Sequence, residues 1–193
     1  MSTYRIGLLA FDGCDAMDLV GPYEVLLTAN RLLERRSREP AFDVAVLGAH
    51  EVTVYGGLRL VPTTSVTDAG HLDVLIVPGA IDPGSARPDE AIAVLAPQAG
   101  VLASVCTGVF FLHRLGLVGE RTVTTHWEDV PLLRAAGATV RDDVRWVDSG
   151  SLVTSGGISS GVAMTLHLVA RFADRGLAEA TARQIDHVWT EDR

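Results

Sequence analysis

Cys106, in the stretch VLASVCTGVFFLHRLG (101–116), stands where five small or branched residues give way abruptly to Thr107, Gly108 and a helical apolar pattern. A thiol on a tight turn between a strand and a helix projects from the sheet and can act as a nucleophile. Amides and the dipole of the following helix would lower its pKa and could hold an anion forming on a substrate. A cysteine in mid-strand would instead read as a small buried hydrophobe; the turn favours the nucleophile. Thr107 adds a hydroxyl, and Gly108 permits close approach of backbone.

A nucleophilic thiol needs a partner for proton transfer. Asp18, in MDLVGP, follows the first apolar run of the chain. A buried carboxyl beside a thiolate is pushed toward its protonated form, in which it can donate a proton. The residues alone equally allow Asp18 to cap a helix, and Asp15 and Glu24 are rivals for the acid role. His126, in TTHW, ends a short predicted strand and invites a Cys-His dyad.

Other candidates carry less chemistry. His50, His71, His113, His167 and His187 are scattered, with no HExxH and no cysteine pair, so no metal site is expected. His167 falls on an apolar helical face and reads as a satisfied core histidine. Cys14, in DGCD, reads as a loop residue or a second thiol facing the pocket. TSGGISSG (154–161) lacks the spacing of a dinucleotide or phosphate loop and reads as a tight strand-to-helix turn.

Strands are expected at 4–11, 42–48, 72–79, 101–105, 122–125 and 152–155, with a hairpin at 52–62 joined by Gly56-Gly57. Helices are expected from about Met17 to Leu33, near 88–99, after Cys106 to about Leu115, and near 129–136, 159–174 and 177–189. Strands alternating with helices predict a mostly parallel sheet covered on both faces, with ligands outside the carboxyl ends of the strands. No repeat or linker divides residues 1–193, so one domain is expected.

The 193 residues can bury on the order of 70% of their extended-chain surface. A net charge of −8 with interspersed signs predicts no nucleic-acid partner. All 16 basic residues are Arg, which excludes Schiff-base and lysine-dependent phosphate chemistry. No stretch approaches a membrane span, the first apolar run is too short for a signal peptide, and two cysteines suit a reduced compartment. A cytoplasmic protein is expected.

The segments SVCTG, FDGCDAMDLVGPYEVL, LIVPGA, TVTTHW and VTSGGISSGV together resemble the ThiJ/PfpI superfamily, from about residue 5 to 172 and in the family's order. DLVGP and TTHW resemble more narrowly the branch of isocyanide hydratases and the N-terminal domains of AraC-type regulators. The resemblance implies a flavodoxin-like three-layer sandwich, a homodimer, no cofactor, Cys106 as nucleophile and Asp18 as the proton-transfer group. It implies that amides at Gly79 and Ala80 serve the substrate, although Ala80 replaces a second glycine. Many relatives carry an aspartate where this chain has Ala163. Some branches place a histidine directly after the cysteine, where this chain has Thr107.

The implied reaction is hydration of an isocyanide to an N-substituted formamide through a covalent thioimidate. Amides of Thr107 and Gly79 would orient the intermediate, with His126 beside the site. The alternatives are a glyoxalase-like enzyme acting on 2-oxoaldehydes and a non-catalytic thiol-based ligand or redox sensor. Only AEATARQIDHVWTEDR follows the last core helix, so a one-chain transcription factor is not expected.

Overall fold

The apolar runs lie side by side as strands whose residues alternate between two cores. A computed structural model describes residues 3–190. Strand β1 (Tyr4–Leu9) leads into α1 (Ala16–Glu34), followed by β2 (Phe42–Gly48), the short strands β3 (Val52–Thr53), β4 (Arg59–Leu60) and β5 (Thr64–Ser65), and β6 (Leu72–Val77). Then come α2 (Asp89–Leu95), β7 (Ala99–Ser104), α3 (Gly108–Arg114), β8 (Thr122–Val123), α4 (Val130–Ala135) and β9 (Thr139–Val140). The described chain ends with β10 (Trp146–Asp148), β11 (Leu152–Ser155), α5 (Ser159–Phe172) and α6 (Arg175–Gln184).

Seven strands form one sheet in the order β10-β11-β7-β6-β1-β2-β5. All neighbours are parallel except β10 and β11. Ile6, Leu8, Val74, Ile76, Val101 and Ala103 enter the core shared with α1, α5 and α6. Leu9, Leu75, Val77 and Leu102 face the opposite core with Ile92, Phe111 and Leu133 from α2, α3 and α4. Burial on both faces is why these strands, past the charged Arg5, Asp43 and Asp73 near their starts, run apolar instead of alternating with polar residues. The three-layer α/β architecture is the expected one.

The differences lie in short elements. β3 and β4 form the expected hairpin, but as a ribbon separate from the sheet. The strand expected at 122–125 shrinks to β8 and pairs with β9 outside the main sheet. β5, β9 and β10 hold only two or three residues each, too few to show a period. α2 stops at Leu95 and continues as a 3₁₀ turn containing Pro97. α6 stops at Gln184, short of the expected 189. No helix among the described residues is long and apolar enough to cross a membrane.

Candidate active site

The end of β7 is built to expose one side chain. Cys106 has φ +58, a left-handed conformation that a residue with a Cβ adopts only under constraint. The constraint comes from both sides. Its N–H donates to the Gly156 carbonyl at 3.1 Å, on the turn after β11. Its carbonyl accepts from Thr125 Oγ1 at 2.9 Å, in the TTHW segment. Three distant motifs therefore meet at this peptide, and TSGGISSG acts as a brace. A Cβ on Gly108 would run into the Val77 carbonyl oxygen and lie 2.9 Å from that of Pro78. Only glycine lets α3 begin this close to the end of β6.

Asp18 is the carboxyl brought to this turn. Asp15 caps α1 by accepting from the Met17 N–H at 2.9 Å, which leaves Asp18 free to turn inward. Its carboxyl is fully buried, and Oδ2 accepts from the Gly79 N–H at 3.0 Å. Oδ1 is buried without a conventional hydrogen-bond partner. The Cys106 thiol lies close enough to act on the carboxyl, though outside full hydrogen-bond geometry. Burial, reinforced by the nearby Asp15 charge, pushes the Asp18 pKa from 3.8 to about 7 against the Gly79 and Cys106 contacts. The rival Glu24 is exposed on α1.

The thiol differs from the sequence expectation. Burial, with the Asp18 charge next, pushes Cys106 up to about 12. The Thr107 N–H pulls the other way, while Asp129 and Asp15 add to the rise. A seven-residue helix does not outweigh loss of water and three carboxyls. The pair resists holding two negative charges, so it favours one proton shared between sulfur and carboxyl over a standing thiolate beside a carboxylate.

The expected amide donors are also placed differently. Gly79 N–H goes to Asp18, Ala80 N–H goes to Thr107 Oγ1 at 2.9 Å, and Gly108 N–H goes to the Val105 carbonyl at 2.9 Å. All three already serve protein acceptors, which weighs against the expected substrate- and oxyanion-binding role of Gly79, Ala80 and Gly108. The Thr107 hydroxyl is committed as well, donating to the Ala80 carbonyl at 2.7 Å. Thr107 therefore ties the turn after β6 to the start of α3. Its own N–H faces the sulfur.

Thr107→Val should leave the buried Ala80 N–H and C=O unpaired and cost about 2–3 kcal/mol in urea unfolding, whereas Thr107→Ser should lose much less.

A cavity of about 270 Å³ opens over the thiol, lined by Asp15, Ala80, Ile81, Cys106, Thr107, His126, Glu128, Asp129 and Ile158. His126 thus reaches the site, its Nδ1 lying 3.6 Å from Asp129 Oδ2 and 3.7 Å from Glu128 Oε2. Burial raises the Asp129 pKa, opposed by His126 and aided by Glu128. Asp129 and Glu128 were not singled out from sequence. Their spacing of two and three from His126 is the signal that could have found them.

The remaining candidates lie elsewhere. Cys14 is fully buried in a bridge with Ala80, and burial raises its thiol to about 11. It lines the core and is not an open loop residue. His167 Nε2 meets Asp148 Oδ2 at 2.8 Å and the ring stacks on Trp146, but Nδ1 is buried without a partner, so the expected satisfied core histidine is only half satisfied. Ala163 is buried within α5. Among the described residues no group of three or more His, Cys, Asp or Glu is arranged to hold a metal ion.

A parallel three-layer sandwich with a cysteine on a strained turn at a strand end, over a buried carboxyl, defines a narrow class of α/β proteins. Residues 4–171 match the model of the DJ-1/PfpI family, and the chain belongs to that family. It is 34% identical over 189 residues to an isonitrile hydratase of Pseudomonas putida, covering 95% of this chain and 78% of that one. It is 29% identical over 180 residues to the HTH-type transcriptional regulator GbdR of Pseudomonas aeruginosa, covering 91% of this chain and 48%, about half, of the regulator. Among solved structures, a ThiJ/PfpI family protein from Pseudomonas syringae superposes with a TM-score of 0.81 at 26% identity, covering 96% of this chain and 76% of that one.

Proposed function

We propose that the protein hydrates isocyanides to N-substituted formamides without a cofactor. The observation that carries this reading is the buried Asp18 carboxyl poised beside the Cys106 thiol. As the sulfur attacks the terminal carbon of R–N≡C, Asp18 takes the thiol proton and delivers it to that carbon. The S–C bond forms, the S–H bond breaks, and R–N=CH–S–Cys results. Water then adds to the same carbon and the thiol leaves with a proton returned through Asp18, giving R–NH–CHO. Concerted transfer avoids a free thiolate, which the surrounding carboxyls disfavour.

The engaged amides at Gly79, Ala80 and Gly108 suit this substrate better than a 2-oxoaldehyde. An isocyanide has no carbonyl oxygen on which negative charge must be held. Glu24, the glutamate of α1 offered as a rival acid, is exposed. The sensor reading called for a low-pKa thiol, and the burial and charge around Cys106 act against one. The similarity to an isonitrile hydratase over most of both chains favours the first reading.

Incubation with a simple aliphatic isocyanide should yield the formamide from wild type and none from Cys106→Ala. Folded wild type that gives no formamide with several aliphatic and aromatic isocyanides would overturn the proposal. The kcat/KM should rise with pH through a midpoint near 7, as Asp18 loses its proton and the pair reaches its singly protonated form. A flat profile between pH 5 and about 9 would contradict the role of Asp18.

A further inference from the structure

We propose that the cavity over Cys106 selects its substrate by charge, admitting neutral and cationic isocyanides and excluding those bearing a carboxylate or phosphate; this deepens the hydratase reading and rests on it for the substrate class. The charged side chains lining the cavity are Asp15, Glu128 and Asp129, and His126 is the one basic group among them. His126 is itself held between Asp129 and Glu128. Behind the sulfur lies the buried Asp18, whose Oδ1 has no conventional partner.

Arg145, in the neighbouring cavity, faces another way. Arg145 lines an adjoining cavity of about 360 Å³ that shares His126 and Ile158, together with Asp142. Its guanidinium donates to the Ser159 carbonyl at 3.1 Å and to Ser159 Oγ at 3.0 Å, bracing the start of α5. Of the other walls, Ala80, Ile81 and Ile158 are apolar, and the hydroxyl of Thr107 is committed to Ala80. A small concave site with low-dielectric walls and one sign of charge concentrates the opposite sign and repels its own. An anionic substituent would also have to leave water with no arginine among the lining residues to receive it and with His126 already held by two carboxylates. Glu128 and Asp129 are then specificity residues that need not touch the reacting atoms.

The first test labels Cys106 with two methanethiosulfonates, one carrying a trimethylammonium group and one a sulfonate, with labelling sites mapped by peptide mass. Rates are normalised to those of a small free thiol. The cationic reagent should lead by roughly tenfold or more at low salt, and the ratio should shrink toward one as salt is added. In Glu128→Gln/Asp129→Asn the ratio should approach one without salt. Because the chain carries a net charge of −8, it is the variant that isolates the cavity's own carboxyls, and Glu128→Gln alone, at an exposed position, serves if the double variant folds poorly. A normalised ratio near one at low salt, or a lead by the anionic reagent, overturns charge selection whether or not isocyanides are turned over.

The second test compares kcat/KM for isocyanides of matched length ending in ammonium or carboxylate. A preference for ammonium that falls in the double variant supports the proposal, and equal turnover of both ends contradicts it. Absence of formamide from every isocyanide would overturn the hydratase reading and the isocyanide class named here, while leaving the labelling result to decide charge selection of the cavity. The two failures are therefore distinguishable.

Discussion

Asp18→Asn should abolish turnover and stabilise the fold at the same time. Asn keeps an oxygen to accept the Gly79 N–H but cannot take or return a proton, so kcat/KM should fall by roughly 10²- to 10⁴-fold. The stability effect follows from proton linkage. The folded carboxyl holds its proton up to about pH 7, against 3.8 for its ordinary value. Between those two values the native state binds more protons than the unfolded chain, so stability declines as pH rises through this window. Above it the full penalty of a buried carboxylate is present. At about 1.4 kcal/mol per unit, that penalty is on the order of 4 kcal/mol. Asn never incurs it. Urea unfolding at pH 8 should therefore show Asp18→Asn more stable than wild type by a few kcal/mol, with the gap closing near pH 4. A variant less stable than wild type at pH 8 would mean that Asp18 is a structural anchor and not a stored cost of function.

Gly108→Ala should be the most damaging single-methyl change in the chain. The added Cβ would collide with the Val77 carbonyl and crowd that of Pro78. Both are backbone atoms at the end of β6, in the middle of the sheet, so neither can swing aside as a long side chain would. Either α3 lifts or β6 and β7 part, and the expected loss is on the order of 3–5 kcal/mol. The same movement shifts Cys106, so activity should fall in whatever fraction remains folded. Gly13→Ala is the informative comparison. Gly13 has φ +81 but nothing within 4 Å of a Cβ, so its cost should stay near 1 kcal/mol. Thermal melts of the two variants separate crowding from conformational strain. Equal melting temperatures would contradict the close seating of α3.

What could be read from the sequence divides along a physical line. The covered parallel sheet was legible because β1, β2, β6 and β7 are largely apolar runs, with Arg5, Asp43 and Asp73 confined to the second position of their strands. The elbow was legible because Cys106 follows such a run and precedes Gly108. Asp18 emerged only through its motif register, since a carboxylate three residues into a helix looks the same whether it caps the helix or turns inward. Asp15 proved to be the cap.

The direction of the thiol pKa was not legible, because it depends on the enclosure around Cys106 and on Asp129, 23 residues away along the chain. Nor was the engagement of the Gly79 and Ala80 amides, which requires knowing that the Thr107 hydroxyl and the Asp18 carboxyl reach across to them. Strands of two or three residues, such as β5 and β9, gain their pairing from neighbours and have no pattern of their own.

The central claim is that burial beside Cys106 keeps Asp18 proton-bearing near neutrality. The most direct measurement is a ¹³C NMR titration of the Asp18 side-chain carboxyl in wild-type protein, assigned by its loss in Asp18→Asn. A midpoint near pH 7 is the predicted result. A midpoint near 4, the value of a solvated carboxylate, would contradict the account, because Asp18 would then be too weak a base to take the thiol proton.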